Sequence, residues 1–151
     1  MKLETQRLII TPCTEEQLQI LSTSEEFKVG PHINQYLEDL KKDPSLLGWG
    51  VWLVISKEDN TILGDIGFKG KPNSENIVEV GYGIVPSAQN KGYATEAVSE
   101  IIKWAFTFKN VEKIVAECRI DNVGSIKVLE KLQMKRTDIV NNMLKWELNK
   151  I

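Results

Sequence analysis

The chain has 151 residues, 42% of them hydrophobic and 26% charged, with 19 Lys and Arg against 21 Asp and Glu for a net charge of −2. That length suits one domain able to bury roughly 68–70% of the surface its unfolded chain exposes, and the ordinary composition excludes the disordered and fibrous classes. A near-neutral chain offers no broad basic field, so nucleic acid is not an expected partner.

The start, Met1-Lys2-Leu3-Glu4-Thr5-Gln6-Arg7, lacks the apolar run of a signal peptide, and no stretch approaches the roughly 20 apolar residues of a transmembrane helix. A cytoplasmic location without membrane association is expected. Cys13 and Cys118 make neither a metal-type cluster nor a disulfide scaffold, so reduced thiols and no metal are expected.

In chain order, Leu8 to Thr11 is a β-favouring run closed by Pro12, and Thr14 with Glu16 and Gln17 behind it has the pattern of a helix start. From Pro31, the residues Ile33, Tyr36, Leu37 and Leu40 recur at helical steps until Asp43-Pro44. The segment between these two helices carries no clear pattern. Trp49 to Ile55 and Ile62 to Phe68 read as strands joined through Lys57-Glu58-Asp59-Asn60, a hairpin, and Asn76 to Val85 extends the sheet. On that third run Val78, Val80, Tyr82 and Ile84 share one face; Ile77, Glu79, Gly81, Gly83 and Val85 share the other.

Ala94, Ala97, Val98, Ile101, Ala105 and Phe108 form the clearest helical stripe. Ile114, Ala116, Cys118 and Ile120 then alternate as a strand, Asn122 to Leu132 returns to a helical pattern, and Met143 to Leu148 alternates again. The order of strand, two helices, three strands, helix, strand, helix and two strands describes an α/β domain around one mixed sheet.

Between the third strand and the strong helix lies Val85-Pro86-Ser87-Ala88-Gln89-Asn90-Lys91-Gly92-Tyr93-Ala94-Thr95, a strand–loop–helix junction. Free N–H groups in the first helical turn and the positive end of the helix dipole suit a phosphate there, with Gly92 letting the backbone approach it. By local spacing alone, the plainer reading is that Gly92 makes a tight turn and Ala94 packs on the sheet. No G-x-x-x-x-G-K-[ST] is present, and Gly81-Tyr82-Gly83 lies within a strand without a third glycine at the required step, so Walker and dinucleotide motifs are excluded.

Gln89-Asn90-Lys91-Gly92-Tyr93-Ala94 has the form Q/R-x-x-G-x-G/A, and it stands with Glu79 to Pro86, with Thr95-Glu96-Ala97, with Asn122-Val123-Gly124-Ser125-Ile126-Lys127-Val128-Leu129-Glu130-Lys131-Leu132, and with Thr5-Gln6-Arg7-Leu8. Together these resemble the GNAT N-acetyltransferase superfamily, in the branch containing the RimJ and RimL ribosomal-protein N-acetyltransferases. The resemblance covers nearly the whole chain. It implies a single GNAT-like domain over residues 1–151, α/β, with a mixed central sheet flanked by about four helices and splayed between its fourth and fifth strands. Acetyl-CoA is then the cosubstrate, lying in the cleft with its pyrophosphate on the backbone of the loop. No metal is implied.

The site residues follow from the resemblance: Gln89, Asn90, Lys91, Gly92, Tyr93, Ala94 and Thr95 at the coenzyme, and Asn122 both as helix cap and as a hydrogen-bond partner of the pantetheine arm. A backbone N–H at Ile84 or Val85 is expected to face the charge that develops on the thioester oxygen. An ammonium with an ordinary pKa of about 10.4 must lose a proton before it attacks, and Glu79 is the candidate base; its face-sharing with Ile77 and Gly81 is expected to desolvate it. A structural glutamate bonded to backbone or arginine is the alternative for Glu79. The family often places a proton-donating tyrosine four residues after the Ser or Ala of its second motif, where this chain has Leu129, which leaves Ser125 as substitute donor or as a helix cap. The family's usual Leu-Gly-Phe after this helix is Leu132-Gln133-Met134 here, so the left-handed glycine is absent, and keeping that conformation at Gln133 would cost roughly 1–2 kcal/mol.

His32, the only histidine, is assigned no role, and Trp49, Trp52, Trp104 and Trp146 are expected to pack rather than to stack on bases. The expected activity is direct acetyl transfer, in a ternary complex, to a primary amine: a protein N-terminus, a small amine or an amino-sugar. The acceptor is expected around residues 20–48, and either a monomer or a homodimer fits. A non-catalytic acyl-CoA-binding regulatory domain is the alternative, motivated by Leu129.

Overall fold

The computed structural model describes residues 1–21 and 26–151. Its strands are β1 (Leu3–Glu4), β2 (Leu8–Pro12), β3 (Val51–Ser56), β4 (Ile62–Phe68), β5 (Ile77–Ile84), β6 (Lys113–Arg119), β7 (Lys135–Val140) and β8 (Met143–Asn149). They form one eight-stranded sheet in the order β1-β2-β3-β4-β5-β6-β8-β7. The helices are α1 (Glu15–Leu21), α2 (Pro31–Lys42), α3 (Tyr93–Ala105) and α4 (Val123–Lys131), with short 3-10 turns at Pro44–Leu46 and Pro86–Ala88. α2, α3 and α4 lie where the apolar spacing places them, and α1 follows the Thr14 start signal. Among the ends that differ, β3 begins two residues after Trp49, β5 runs Ile77–Ile84 inside the expected Asn76 to Val85, α3 stops before Phe108, and Ile120 is 45% exposed past the end of β6.

The sheet is antiparallel from β1 to β5, and β5 meets β6 in parallel through Ile77, Val78 and Glu79 alone, which pair with Lys113, Ile114 and Val115. Beyond Glu79, β5 stays on β4 as far as Ile84 while β6 stays on β8 as far as Arg119. The two halves therefore part, and the sheet opens into a wedge. This is the expected splay, moved one strand along the count because the short β1 precedes the run at Leu8.

Two apolar clusters hold the layers. On one face Leu8, Ile10, Trp52, Val54, Ile66, Val78 and Val80 meet Ala97, Val98, Ile101 and Ala105 of α3, and Ile114, Leu144 and Trp146 meet Leu129 of α4. On the other face Val51, Leu53, Ile55 and Ile62 meet Ile33, Tyr36 and Leu37 of α2. Leu129 is fully buried, so truncating it to alanine costs about 2–5 kcal/mol through lost transfer energy and an unfilled cavity. The tryptophans pack as expected: Trp52 and Trp146 are fully or nearly fully buried, and Trp49 and Trp104 lie with ring centroids 4.7 Å apart beside Phe68 and Phe108.

Local signals set the element ends. Thr14 Oγ1 accepts the Gln17 N–H at 3.2 Å and starts α1, and Asn122 Oδ1 accepts the Ser125 N–H at 3.1 Å and starts α4. After α4 the chain turns left-handed at Gln133, φ 66°, with the Gln133 N–H on the Glu130 carbonyl and the Met134 N–H on the Leu129 carbonyl. Glutamine thus takes the glycine's place and keeps the turn. Burying Met134 beside Leu129 supplies the apolar contact that offsets the strained φ.

Candidate active site

The 86–95 loop is shaped for an anion. Asn90 has φ 64° and Gly92 φ 82°, two left-handed residues separated by one position, the kind of backbone that can gather N–H groups toward an anion. Gly92 caps α3 with no side-chain hydrogen bond, which leaves the first-turn N–H groups of a 13-residue helix to an incoming ligand. Gln89 reaches back, its Nε2 donating to the Ile84 carbonyl at 2.9 Å, so it ties the loop to β5.

The turn between β1 and β2 braces this loop from outside. Arg7 donates through Nε to Glu96 at 2.8 Å and through Nη1 to the Lys91 carbonyl at 2.9 Å, and its guanidinium lies 4.3 Å from the centre of the Tyr93 ring. Thr5 Oγ1 also donates to Glu96. Burial pushes the Glu96 carboxyl up, but the hydrogen bonds from Thr5 and Arg7 outweigh it and hold the group below its ordinary 4.5. The Thr5-Gln6-Arg7-Leu8 run marked the family in the sequence without giving Arg7 a task; the signal was there, the partner 84 residues away was not.

Inside the wedge is a cavity of about 520 Å³ lined by Tyr82, Gly83 and Ile84 of β5, by Gln89, Asn90 and Gly92 to Thr95 of the loop, and by Asn122, Gly124 and Ser125 at the start of α4. Lys127 and Lys131 of α4 close its far side, two cations that sequence reasoning did not single out. Lys91 and Val85 do not line it. The Val85 N–H donates to the Leu63 carbonyl at 2.8 Å, and Lys69 donates to the Glu79 carbonyl at 2.9 Å. By strand alternation, the backbone groups of residues 79, 81, 83 and 85 therefore face β4, and those of Tyr82 and Ile84 face the wedge. Of the two expected oxyanion donors, Val85 is engaged elsewhere and Ile84 points at the cleft.

Ser125 is not the helix cap. Asn122 is, and Ser125 is the residue whose N–H it satisfies. The Tyr82 hydroxyl lies 3.4 Å from the Ser125 carbonyl oxygen, and burial pushes its phenol above the ordinary value.

A second cavity, about 560 Å³, lies on the other face of β5 and is lined by His32, Gln35, Tyr36 and Asp39 of α2 and by Asp65, Gly67, Lys69, Gly81 and Gly83. Tyr82 and Gly83 border both cavities, so β5 is the wall between the two spaces. Its floor is free of side chains: a Cβ on Gly83 meets nothing within 4 Å, and one on Gly81 meets only the Lys69 side chain at 3.8 Å. At Gly50, by contrast, a Cβ would strike the Tyr36 ring at 2.1 Å, because α2 packs that closely.

Within the second cavity His32 Nε2 and Asp65 Oδ2 are 2.8 Å apart, and Asp65 stands directly opposite Gly83 in the ladder. His32, which sequence reasoning left without a role, thus lines the second cavity. Glu79 lies farther back, at the apex of the wedge. It is not desolvated as expected: its side chain is 33% exposed and ion-paired with Lys69 at 2.9 Å. Residues 22–25, part of the expected acceptor region at 20–48, lie outside the described residues. Among the described residues no group of three or more His, Cys, Asp and Glu is placed to hold a metal, and no helix is long and apolar enough to cross a membrane.

Comparison with known proteins gives this geometry its context. The chain is 37% identical over 100 residues, 66% of its length, to the uncharacterized N-acetyltransferase YjdG of Bacillus subtilis (strain 168), and it spans only 60% of that curated relative. An acetyltransferase of the GNAT family from Bacillus anthracis shares the fold at TM-score 0.73 and 24% identity, covering 99% of this chain and 98% of that one. The ribosomal-protein-S5-alanine acetyltransferase of Vibrio fischeri shares it at TM-score 0.77 and 18% identity, covering 99% and 96%. The family model described as "Acetyltransferase (GNAT) domain" matches residues 7–135, the stretch that holds Arg7, the wedge, the anion loop and α4, and the chain belongs to that family.

Proposed function

We propose that this protein transfers an acetyl group from acetyl-CoA to a primary amine in a ternary complex. The observation that carries the reading is the pair of cavities on either side of β5 at Tyr82 and Gly83, one ending at the 89–95 loop and the other floored by glycine. The coenzyme fits the first. Backbone N–H groups of the loop and the start of α3 suit its pyrophosphate, Lys127 and Lys131 suit further phosphate charge, and the free edge of β5 with Asn122 suits the amide-bearing arm.

The acceptor belongs over Gly81 and Gly83. There Asp65, held by His32, holds the amine opposite the strand edge that carries the Ile84 N–H. Glu79 takes the proton. It stands five residues, about 16 Å, before Ile84 along the strand, so it acts through intervening water. Its carboxylate is paired with the Lys69 ammonium at 2.9 Å. The Ile84 N–H faces the oxygen on which charge develops as the amine attacks. Acceptors within this reading are small amines, amino-sugars and protein N-termini; the last are favoured by the branch that the sequence motifs resemble and by the likeness to ribosomal-protein acetyltransferases.

The test is incubation with acetyl-CoA and a panel of amines, amino-sugars and peptides, following thiol release and product mass. Thiol release matched by an acetylated product (42 Da heavier, about one acetyl group) is expected. Saturable coenzyme binding with no thiol release across the panel would mean a binding domain instead.

A further inference from the structure

We propose that the Tyr82 hydroxyl, not Ser125, delivers the proton to the departing sulfur of coenzyme A; the assignment rests on the acetyltransferase reading above. Position 129, where the family's second motif often carries a proton-donating tyrosine, is a fully buried leucine in the core beneath α4. Nothing on α4 at that place can donate. A phenol does line the cavity: Tyr82 on β5 reaches across to the first turn of α4, with its oxygen 3.4 Å from the Ser125 carbonyl.

Three features suit Tyr82 to the task. It belongs to the strand that separates the two cavities and lines both. It lies two residues before Ile84 on the same strand edge, beside the N–H that faces the thioester oxygen, and sulfur is one bond from that carbonyl carbon. Its hydroxyl is loosely held, since 3.4 Å is long against the usual 2.7–2.8 Å for an O–H···O bond, and a stronger acceptor takes the proton readily. Burial keeps the phenol in its protonated form at neutral pH.

The step balances without an oxidant or reductant. The amine lone pair forms the C–N bond at the thioester carbon, and the C–S electron pair leaves on sulfur. Sulfur takes the Tyr82 hydroxyl proton and departs as the coenzyme A thiol. The phenolate regains a proton from water, and the surplus proton of the amine leaves through Glu79 to solvent.

Turnover, KM for acetyl-CoA and melting temperature are measured on the wild type, Tyr82→Phe and Ser125→Ala. Tyr82→Phe should lower kcat about 10- to 100-fold, since a thiolate leaving group needs less help than general acid catalysis usually supplies. KM and melting temperature should hold, and Ser125→Ala should lose less than about threefold in kcat. Wild-type kcat in folded Tyr82→Phe, or a larger loss in Ser125→Ala, overturns the assignment while leaving the acetyltransferase reading intact. A wild type that binds acetyl-CoA but releases no thiol overturns that reading and the assignment with it. Should Tyr82→Phe fail to fold, 3-fluorotyrosine placed at 82 keeps the shape and makes the phenol more acidic. The alkaline limb of its kcat profile should then move to lower pH, and an unmoved limb overturns the assignment.

Discussion

The two sides of β5 differ in how they are built. The coenzyme side is made of backbone: an unpaired strand edge at Tyr82 and Ile84, a loop with left-handed residues at 90 and 92, and an uncapped helix start. The acceptor side is made of side chains brought together from α2 and β4 over the glycines of β5, with His32 and Asp65 meeting across 33 positions. A backbone site constrains one contiguous stretch to glycine and small residues, and so it leaves a motif. A side-chain site assembled across the sheet leaves none.

If that contrast is right, substitutions on each side should move different observables. The largest expected effect is on turnover. Glu79→Gln keeps the shape and removes the proton acceptor, so kcat at neutral pH should fall by about 10²-fold or more with acetyl-CoA affinity nearly unchanged. An unaltered pH–rate profile in this variant would move the base to Asp65 or to water alone. Next comes Gly92→Val, which forces a branched residue to φ 82° in the loop; coenzyme affinity should fall about tenfold or more.

Asp65→Asn belongs to the acceptor side alone. It should raise KM for the amine by about tenfold, as expected for a lost charge-assisted hydrogen bond, without altering the coenzyme Kd. A matching shift in coenzyme affinity would blur the division between the two sides. The smallest effect concerns the brace at Arg7. Because Glu96 is held below its ordinary 4.5 in the folded protein, its contribution to stability is present above about pH 4.5 and is lost as pH falls through the lower folded value. Arg7→Ala should flatten that acid limb of the melting curve and weaken coenzyme binding by a few-fold, through a looser Lys91 carbonyl and an unsupported Tyr93 ring.

The same contrast sorts what the sequence could show. Apolar spacing located α2, α3, α4 and the main strands, Thr14 marked the start of α1, and Asn122 announced its cap. The two-residue β1 and the parting of β5 from β6 after Glu79 are set by pairing between distant strands, and only resemblance pointed to the splay. Glu79 was placed on the right face, yet its exposure depends on Lys69, ten residues away across a turn. His32 gave no signal because a lone histidine before a helix gains meaning only from the carboxylate that meets it. Gln133 shows the reverse: a residue that should refuse the left-handed turn accepts it, since the hydrogen bonds to Glu130 and Leu129 and the burial of Met134 outweigh the strain.

The central claim is that coenzyme and acceptor occupy opposite sides of β5. Calorimetric titration of acetyl-CoA into the wild type, Gly92→Val and Gly81→Val tests it directly, because Gly81 floors only the acceptor cavity, where its Cβ has room. The account predicts weakened binding in Gly92→Val and wild-type binding in Gly81→Val, whose defect should appear only as a raised KM for the amine. Equal binding by a folded Gly92→Val variant, or loss of binding in Gly81→Val, would contradict it.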